Sequence, residues 1–134
     1  MDKYLSKEKI TIGVAAHGNL ISTKNCIQAI KNSLDGVYEV ILIDDFSPDK
    51  GEIKDYFLNQ KKEFKEIKVF HFSENLGYMQ SVNCVLSNST SEKTIFVSND
   101  IYITPFFLEE LINISDFNEN IGYVKGVSNF VDNN

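Results

Sequence analysis

Residues 40–47 read Val-Ile-Leu-Ile-Asp-Asp-Phe-Ser, an apolar and mostly β-branched run that stops at two adjacent carboxylates. A short apolar run bounded by turn residues predicts a buried strand, which here covers residues 38–43. In open parallel α/β sheets, ligands bind beyond the carboxyl ends of the strands. Asp44 and Asp45 therefore stand where a binding site is expected.

Similar apolar runs alternate with amphipathic stretches along the rest of the chain. The predicted strands are residues 9–16, 38–43, 67–72, 94–97 and 121–127. Helical spacing predicts helices over 25–34 and 78–87, the second with Tyr78, Met79, Val82, Val85 and Leu86 on its apolar face. Ser47-Pro48 and Thr104-Pro105 read as cap and first-turn pairs of two further helices. This alternation predicts an α/β fold, a Rossmann-like and mostly parallel sheet with helices on both faces.

Length and composition restrict the class of protein. A chain of 134 residues fits a single domain over 1–134, and 43% hydrophobic residues are enough to build a core, which excludes a disordered chain. The net charge of −6 excludes a dedicated nucleic-acid binder. Ligands that carry phosphate stay compatible with it, because a bound divalent cation can supply positive charge.

The cysteines and the hydropathy pattern indicate the cellular compartment of the protein. Cys26 and Cys84 fall in no metal or redox motif, so we expect buried free thiols and a reducing compartment. No apolar stretch reaches the length that spans a bilayer, and we expect a cytoplasmic protein.

Four polar loops leave the same edge of the predicted sheet, at residues 16–19, 44–47, 73–77 and 98–100. Turn and capping preferences explain any one of them, but their conjunction favours a ligand site. One of Asp44 and Asp45 can bond a base or a ribose while the other caps a helix, although both acting as caps is an equally good interpretation. His17 at a strand end is more typical of a stacking or hydrogen-bonding group than of a general base.

The loops at residues 73–77 and 98–100 offer candidate groups for binding a metal ion and an anion. Asp100, beside Asn99, can bind Mg²⁺ or Mn²⁺ together with diphosphate oxygens. Asn75 and Gly77 open a predicted helix, where unpaired backbone N–H groups suit an anion. Asn83 lies within that helix among apolar residues, which a polar contact toward the cleft would explain. Each of these residues also has a purely local explanation in turn chemistry.

Together these segments resemble the family 2 glycosyltransferases, enzymes of the GT-A fold whose N-terminal half binds a nucleotide-sugar. The resemblance rests on the Asp-Asp-x-Ser run of residues 44–47, on Asn75-Leu76-Gly77, and on residues 95–108, which include Ser98-Asn99-Asp100 and Pro105. The last stretch looks like the Asn-Asp form of the family's DxD metal-binding motif, with Ser98 at its first acidic position.

The resemblance implies roles for these residues. Asp45 would bind the base, Asp44 would support that loop, and Asp100 would ligate the cation that bridges the diphosphate. The remaining residues that it implies in nucleotide-sugar binding are Ala15, Ala16 and His17, which flank the base, with Asn75, Gly77, Asn83 and Asn99. His17 replaces the aromatic residue usual in the family.

The implied function is a glycosyltransferase donor domain. It would bind a UDP- or dTDP-type sugar with Mg²⁺ or Mn²⁺ and serve transfer to a saccharide or glycoconjugate acceptor in surface polysaccharide synthesis. For this chain, a peripheral place at the inner face of the membrane and a homo-oligomer both stay open. Members of the family continue into an acceptor-binding half with a catalytic base. Nothing here matches that half and the late acids Glu119 and Asp132 lie in no motif, so we expect a truncated, donor-binding portion and assign no base.

Three other classes compete with this interpretation. The first is a non-catalytic module that binds a nucleotide-sugar but lacks the acceptor half. The second is a phospho-receiver domain, which should carry its acidic pair after the first strand, whereas Asp44 and Asp45 follow the second. The third is a nucleotidyltransferase, whose first loop should be basic and rich in glycine, unlike Ala16-His17-Gly18-Asn19.

Overall fold

The computed structural model describes residues 9–33 and 38–126. The strands are β1 (Ile10–Ala16), β2 (Tyr38–Asp44), β3 (Ile67–His71) and β4 (Lys93–Ser98). The helices are α1 (Leu20–Ser33), α2 (Glu52–Asn59), α3 (Tyr78–Asn88) and α4 (Phe107–Asp116), with a short 3-10 helix at Gln60–Lys62. The four strands form one sheet in the order β3-β2-β1-β4, and every pair is parallel. The predicted α/β class is confirmed.

The strand order places a switch point at β1. Strands β2 and β3 extend to one side of β1, and β4 lies on the other side. Ligands of doubly wound sheets bind at the carboxyl ends of the strands where the order reverses, here between β1 and β4. A phospho-receiver sheet has β3 next to β1, so the observed order excludes that alternative.

Helices cover both faces of the sheet, as predicted. Alternation along β2 sends Val40 and Leu42 to one face and Ile41 and Ile43 to the other. Helices α1, α2 and α4 pack on the first face, where the buried cluster is Ile10, Ile12, Val14, Ala16, Cys26, Ile27, Ile30, Val40, Leu42, Ile53, Phe57, Phe64, Val97, Ile103, Leu108 and Ile112. Helix α3 packs on the second face through Val85, with Phe70 and Phe96 alongside.

Helix α3 approaches β1 at Gly13, where a side chain has no room. A Cβ atom on Gly13 would lie 2.5 Å from both γ-methyl groups of Val85. We expect Gly13→Ala to lower the free energy of unfolding by about 1–3 kcal/mol, because overpacking forces the helix or its side chains to shift. Urea denaturation measures the difference, with Gly122→Ala as the matched control, since no atom lies within 4 Å of the Cβ position there.

A second substitution tests whether the contact with Val85, rather than alanine at position 13 itself, causes the loss of stability. In a Val85→Ala background both γ-methyl groups are gone and only the Cβ–Cβ approach of 3.0 Å is left, so Gly13→Ala should cost much less. An equal cost in both backgrounds would contradict the proposed contact.

Two helix starts differ from the predictions. Helix α1 begins at Leu20 rather than at residue 25, because the Asn19 side chain caps it by accepting a hydrogen bond from Ser22 N at 3.1 Å. Ser47-Pro48 does not open α2, which begins at Glu52. The Asp49 carboxylate replaces that pair, accepting hydrogen bonds from Gly51 N at 3.1 Å and Ile53 N at 3.1 Å.

Helix α4 also begins later than predicted. Thr104-Pro105 lies before the helix, which starts at Phe107 and has no side-chain cap. The carbonyl of Thr104 accepts a hydrogen bond from Phe107 N at 3.2 Å, so a turn leads into the helix. Phe106, between them, has a positive φ of 68°.

The predicted apolar face of α3 is largely wrong. Val85 is buried, but Tyr78, Met79 and Leu86 are exposed by 61%, 65% and 57%. The buried side of the helix instead runs through Ser81 and Val85. The space above Gly13 admits Val85, and this contact sets the rotation of the helix about its axis.

The predicted fifth strand is absent from residues 121–126, and Val127 lies outside the described residues. The segment begins with a turn, in which Ile121 N donates to the Asn118 carbonyl at 3.0 Å. It then packs against α4, since a Cβ atom on Gly126 would lie 2.4 Å from Cζ of Phe107. This contact holds the segment against a helix rather than in the sheet.

Both cysteines are free thiols, as predicted. Cys26 is buried, and burial together with the negative charge of Asp100 raises its pKa to about 12. Cys84 is only half-buried, and burial raises its pKa as well. Neither thiol is activated as a nucleophile. In the described part of the chain, no helix combines the length and the apolar character needed to cross a bilayer.

Candidate functional site

Backbone hydrogen bonds join the loops at the carboxyl edge of the sheet. Asp45 N donates to the Ala16 carbonyl at 2.9 Å, and Asn99 N donates to the Ala15 carbonyl at 3.1 Å. Both bonds continue the strand pairing by one step, so Asp45 and Asn99 stand on opposite sides of the end of β1. Ala15 and Ala16 contribute their backbone carbonyl groups to these hydrogen bonds.

The carboxylate of Asp45 connects the end of β2 to the start of α3. The side chain is buried, and its two oxygens accept hydrogen bonds from Leu76 N at 2.7 Å and Gly77 N at 2.8 Å. The Gly77 N–H, expected to meet an anion, therefore meets this carboxylate and also the Asn75 side-chain oxygen at 3.0 Å. Each carboxylate oxygen keeps a second lone pair that can accept a hydrogen bond from a ligand.

Both ring nitrogens of His17 lie near polar groups of neighbouring loops. Its Nδ1 lies 2.8 Å from the Asp45 carbonyl oxygen, which can only accept, so the network assigns the proton to Nδ1. Nε2 lies 3.4 Å from the Asn75 side-chain nitrogen. His17 is thus an exposed ring held by hydrogen bonds, which is typical of a stacking group rather than of a general base.

Asp44 and Ser47 fix the loop that follows β2. Asp44 is buried, and its Oδ1 accepts a hydrogen bond from Ser47 N at 2.9 Å while Oδ2 lies 3.4 Å from His71 Nδ1. The Ser47 hydroxyl accepts a hydrogen bond from Gly18 N at 2.9 Å and so joins this loop to the one after β1. Sequence reasoning assigned Ser47 to a helix cap and missed this link, because the partner lies 29 residues away.

Asn99 ties the end of β4 to the first loop. Its side-chain nitrogen donates to the Gly18 carbonyl at 2.9 Å and to the Thr23 hydroxyl at 2.8 Å, and the residue is buried. The Asn99 amide therefore links the end of β4 to the segment after β1, across the switch point. Thr23 was missed because a polar residue on the buried face of a helix leaves no hydropathy signal.

Asp100 and Asn83 are the two predicted residues that stand apart from this network. Asp100 is exposed and follows Asn99 directly, in a turn where Ile101 N donates to the Ser98 carbonyl at 3.2 Å. Asn83 is also exposed, on the side of α3 opposite the buried Ser81 and Val85. A buried apolar setting therefore does not explain Asn83, and its contact toward the cleft stays a prediction.

The residues present fit one kind of metal site. Across residues 9–33 and 38–126, no three His, Cys, Asp or Glu side chains come together to hold an ion. Asp100 supplies a single accessible carboxylate, and Mg²⁺ or Mn²⁺ commonly binds one or two carboxylates with phosphate oxygens and water completing its shell. The edge therefore suits a cation that arrives with a diphosphate, and does not suit one held by protein ligands alone.

Comparisons with solved structures return the same architecture. Residues 1–349 of S. aureus TarS, in complex with UDP-GlcNAc, match at 20% identity and a TM-score of 0.68, over 81% of this chain and 31% of that chain. The mannosyltransferase PcManGT from Pyrobaculum calidifontis, in complex with GDP-Man and Mn²⁺, matches at 15% identity and a TM-score of 0.68, over 81% and 32%. The chain thus spans about a third of the length of these structures.

Sequence comparisons are more specific. A search among curated proteins finds no match. The family profile described as glycosyl transferase family 2 matches residues 11–133, a range that contains all the loops of the carboxyl edge. The chain therefore belongs to glycosyl transferase family 2.

Proposed function

We propose that this chain is the donor-binding domain, residues 1–134, of a glycosyltransferase that takes a UDP- or dTDP-type sugar with Mg²⁺ or Mn²⁺. The observation that carries the proposal is the family match over residues 11–133, together with the convergence of four polar loops at one edge of the sheet. The reaction moves the sugar to a saccharide or glycoconjugate acceptor. Surface polysaccharide synthesis in the cytoplasm is the setting we favour, since both cysteines are free thiols.

Different residues of the site bind different parts of the donor. The remaining lone pairs of the Asp45 carboxylate accept the ring N–H of a uracil or thymine base. His17, held through Nδ1 on the Asp45 carbonyl, offers its ring beside that base. Asp100 ligates the cation at the switch point, where Asn99 keeps the end of β4 against the first loop. When bound, the cation acts as a Lewis acid that stabilises the departing nucleoside diphosphate.

The solved relatives support the donor class. TarS has been crystallised with UDP and with UDP-GlcNAc, and PcManGT with GDP-Man and Mn²⁺. All are nucleoside diphosphates or their sugars, and each sits on a fold with the architecture of this chain. A carboxylate such as Asp45 accepts a ring N–H, which uracil and thymine offer at N3 and which cytosine and adenine lack.

Asp100→Ala tests the proposal. Calorimetric titration of the wild-type chain with UDP and dTDP should give tighter binding in the presence of Mn²⁺ than in its absence. Without the Asp100 carboxylate we expect the Mn²⁺-dependent part of the affinity to fall at least about tenfold, because a ligand to the cation is lost.

A matched substitution controls for charge. Asp55→Ala removes an exposed carboxylate from α2 and should leave the affinity for UDP and its dependence on Mn²⁺ unchanged. A folded wild-type chain that binds neither nucleotide, or an Asp100→Ala variant with full Mn²⁺ dependence, would overturn the proposed donor site.

A further inference from the structure

Phe46 has a backbone conformation that phenylalanine rarely adopts. Its φ is 55°, in the left-handed region, and its side chain is 54% exposed. Turns that need this conformation normally carry Gly, Asn or Asp, because a bulky side chain is strained there. Neither turn chemistry nor burial in the core accounts for a phenylalanine at this position. Strained residues that persist in a fold are concentrated at functional sites.

The neighbours of Phe46 hold its backbone from both sides. Asp45 is fixed by its carboxylate bonds to Leu76 N and Gly77 N and by its own N–H on the Ala16 carbonyl. Ser47 is fixed by its N–H on the Asp44 carboxylate and by its hydroxyl, which accepts from Gly18 N. These bonds oppose relaxation of the Phe46 backbone, so its Cα–Cβ bond is held at one place on the carboxyl edge.

Phe46 also lies one peptide unit from the His17 ring. The Asp45 carbonyl that bonds His17 Nδ1 at 2.8 Å belongs to the peptide group that leads into Phe46. Phe46 and His17 thus belong to the same hydrogen-bonded part of the carboxyl edge, and both residues are exposed there. Aromatic rings beside hydrogen-bonding groups are the surfaces on which nucleobases stack.

We infer that Phe46 is a specificity-determining residue whose ring contacts the nucleobase of the bound nucleoside diphosphate. The inference rests on the proposed function and adds to it a residue that favours ligands with a flat base. The strained conformation of Phe46 is kept because it presents the ring to the ligand. Replacing the residue should therefore improve the fold and weaken the complex at the same time.

Phe46→Gly separates these two effects. Glycine adopts a positive φ without strain, so the variant should melt at the same temperature as the wild type or higher. Its affinity for UDP with Mn²⁺ should be about tenfold weaker or more, as for the loss of one stacking contact. Phe46→Tyr, which keeps an aromatic face, should bind UDP as the wild type does, and Phe46→Leu should fall between the two.

Lys50→Gly is the matched control for relief of strain. Lys50 is exposed and has a φ of 57°, in the turn before α2. Its replacement should raise the melting temperature without changing the affinity for UDP. If the wild type binds UDP and Phe46→Gly binds it within twofold, the role of Phe46 is wrong and the proposed function stands. If the folded wild type binds no nucleoside diphosphate, both are wrong.

Discussion

Asp45→Asn is expected to lower the free energy of unfolding by about 2–4 kcal/mol. The buried carboxylate accepts two backbone hydrogen bonds, from Leu76 N and Gly77 N. An amide of the same size keeps one acceptor oxygen and turns an NH₂ group toward the second N–H, so one donor is left without a partner and the remaining bond loses its charge. Urea denaturation followed by circular dichroism measures the change.

The same substitution should abolish measurable binding of UDP. Loss of the two bonds releases residues 75–77 from the end of β2, and with them the Asn75 contact to His17. Calorimetry with UDP and Mn²⁺, at a temperature where the variant is still folded, tests this effect separately from stability.

Asp49→Asn is the matched control for this prediction. Asp49 also accepts two backbone hydrogen bonds, from Gly51 N and Ile53 N, but it does so at the start of α2. Asp49 is only half-buried, so water can replace the acceptor that asparagine lacks, and the cost should stay below about 1 kcal/mol with UDP binding kept. Equal costs for the two variants would show that Asp45 acts as an ordinary turn residue.

The sequence was sufficient to predict the four strands of the sheet, though not the absence of a fifth at residues 121–126, and the edge that carries the site. Apolar runs such as residues 38–43 can only be buried as strands of this length, and the polar residues that follow them must then lie at one edge. That Asp44, Asp45, Asn99 and Asp100 lie at the same edge follows from parallel pairing alone.

The partners of those residues could not be predicted, since each is a tertiary contact between distant segments. Nothing near Asp45 in the sequence indicates that its carboxylate binds residues 76 and 77, which it meets only because β3 lies beside β2. The rotation of α3 is similar in kind. Hydropathy favoured Tyr78 and Met79 as buried residues, but the space above Gly13 admits Val85 and turns the other two outward.

A charged group is buried at the opposite, amino edge of the sheet and was not predicted from the sequence. Glu39 in β2 is 3% exposed, and its carboxylate contacts Lys68 Nζ at 2.6 Å and accepts hydrogen bonds from Thr11 Oγ1 at 2.9 Å and Thr90 N at 3.0 Å. Burial alone raises the pKa of this carboxyl, but the bonds from Lys68, Thr90 and Thr11 outweigh it and hold the pKa at about 2.

The low pKa of Glu39 predicts that Glu39→Gln destabilises the fold in a way that depends on pH. Because the pKa is below the ordinary value of 4.5, folding favours the charged form. The stabilisation is complete above about pH 4.5 and is lost as the pH falls toward 2. At pH 7 we expect the variant to lose about 3 kcal/mol in the free energy of unfolding, and at pH 3 about half of that or less. Urea denaturation at both pH values gives the two differences.

The location of Glu39 separates this effect from binding. It pairs with Thr11 near the start of β1, whereas the candidate site lies beyond Ala16 at the other end of that strand. Glu39→Gln should therefore keep the affinity for UDP while it lowers stability, the reverse of what Phe46→Gly should do. Glu119→Gln, at an exposed carboxyl, controls for the lost charge and should change neither quantity. A difference between the wild type and Glu39→Gln that stays constant from pH 7 to pH 3 would contradict the role of the Glu39 charge.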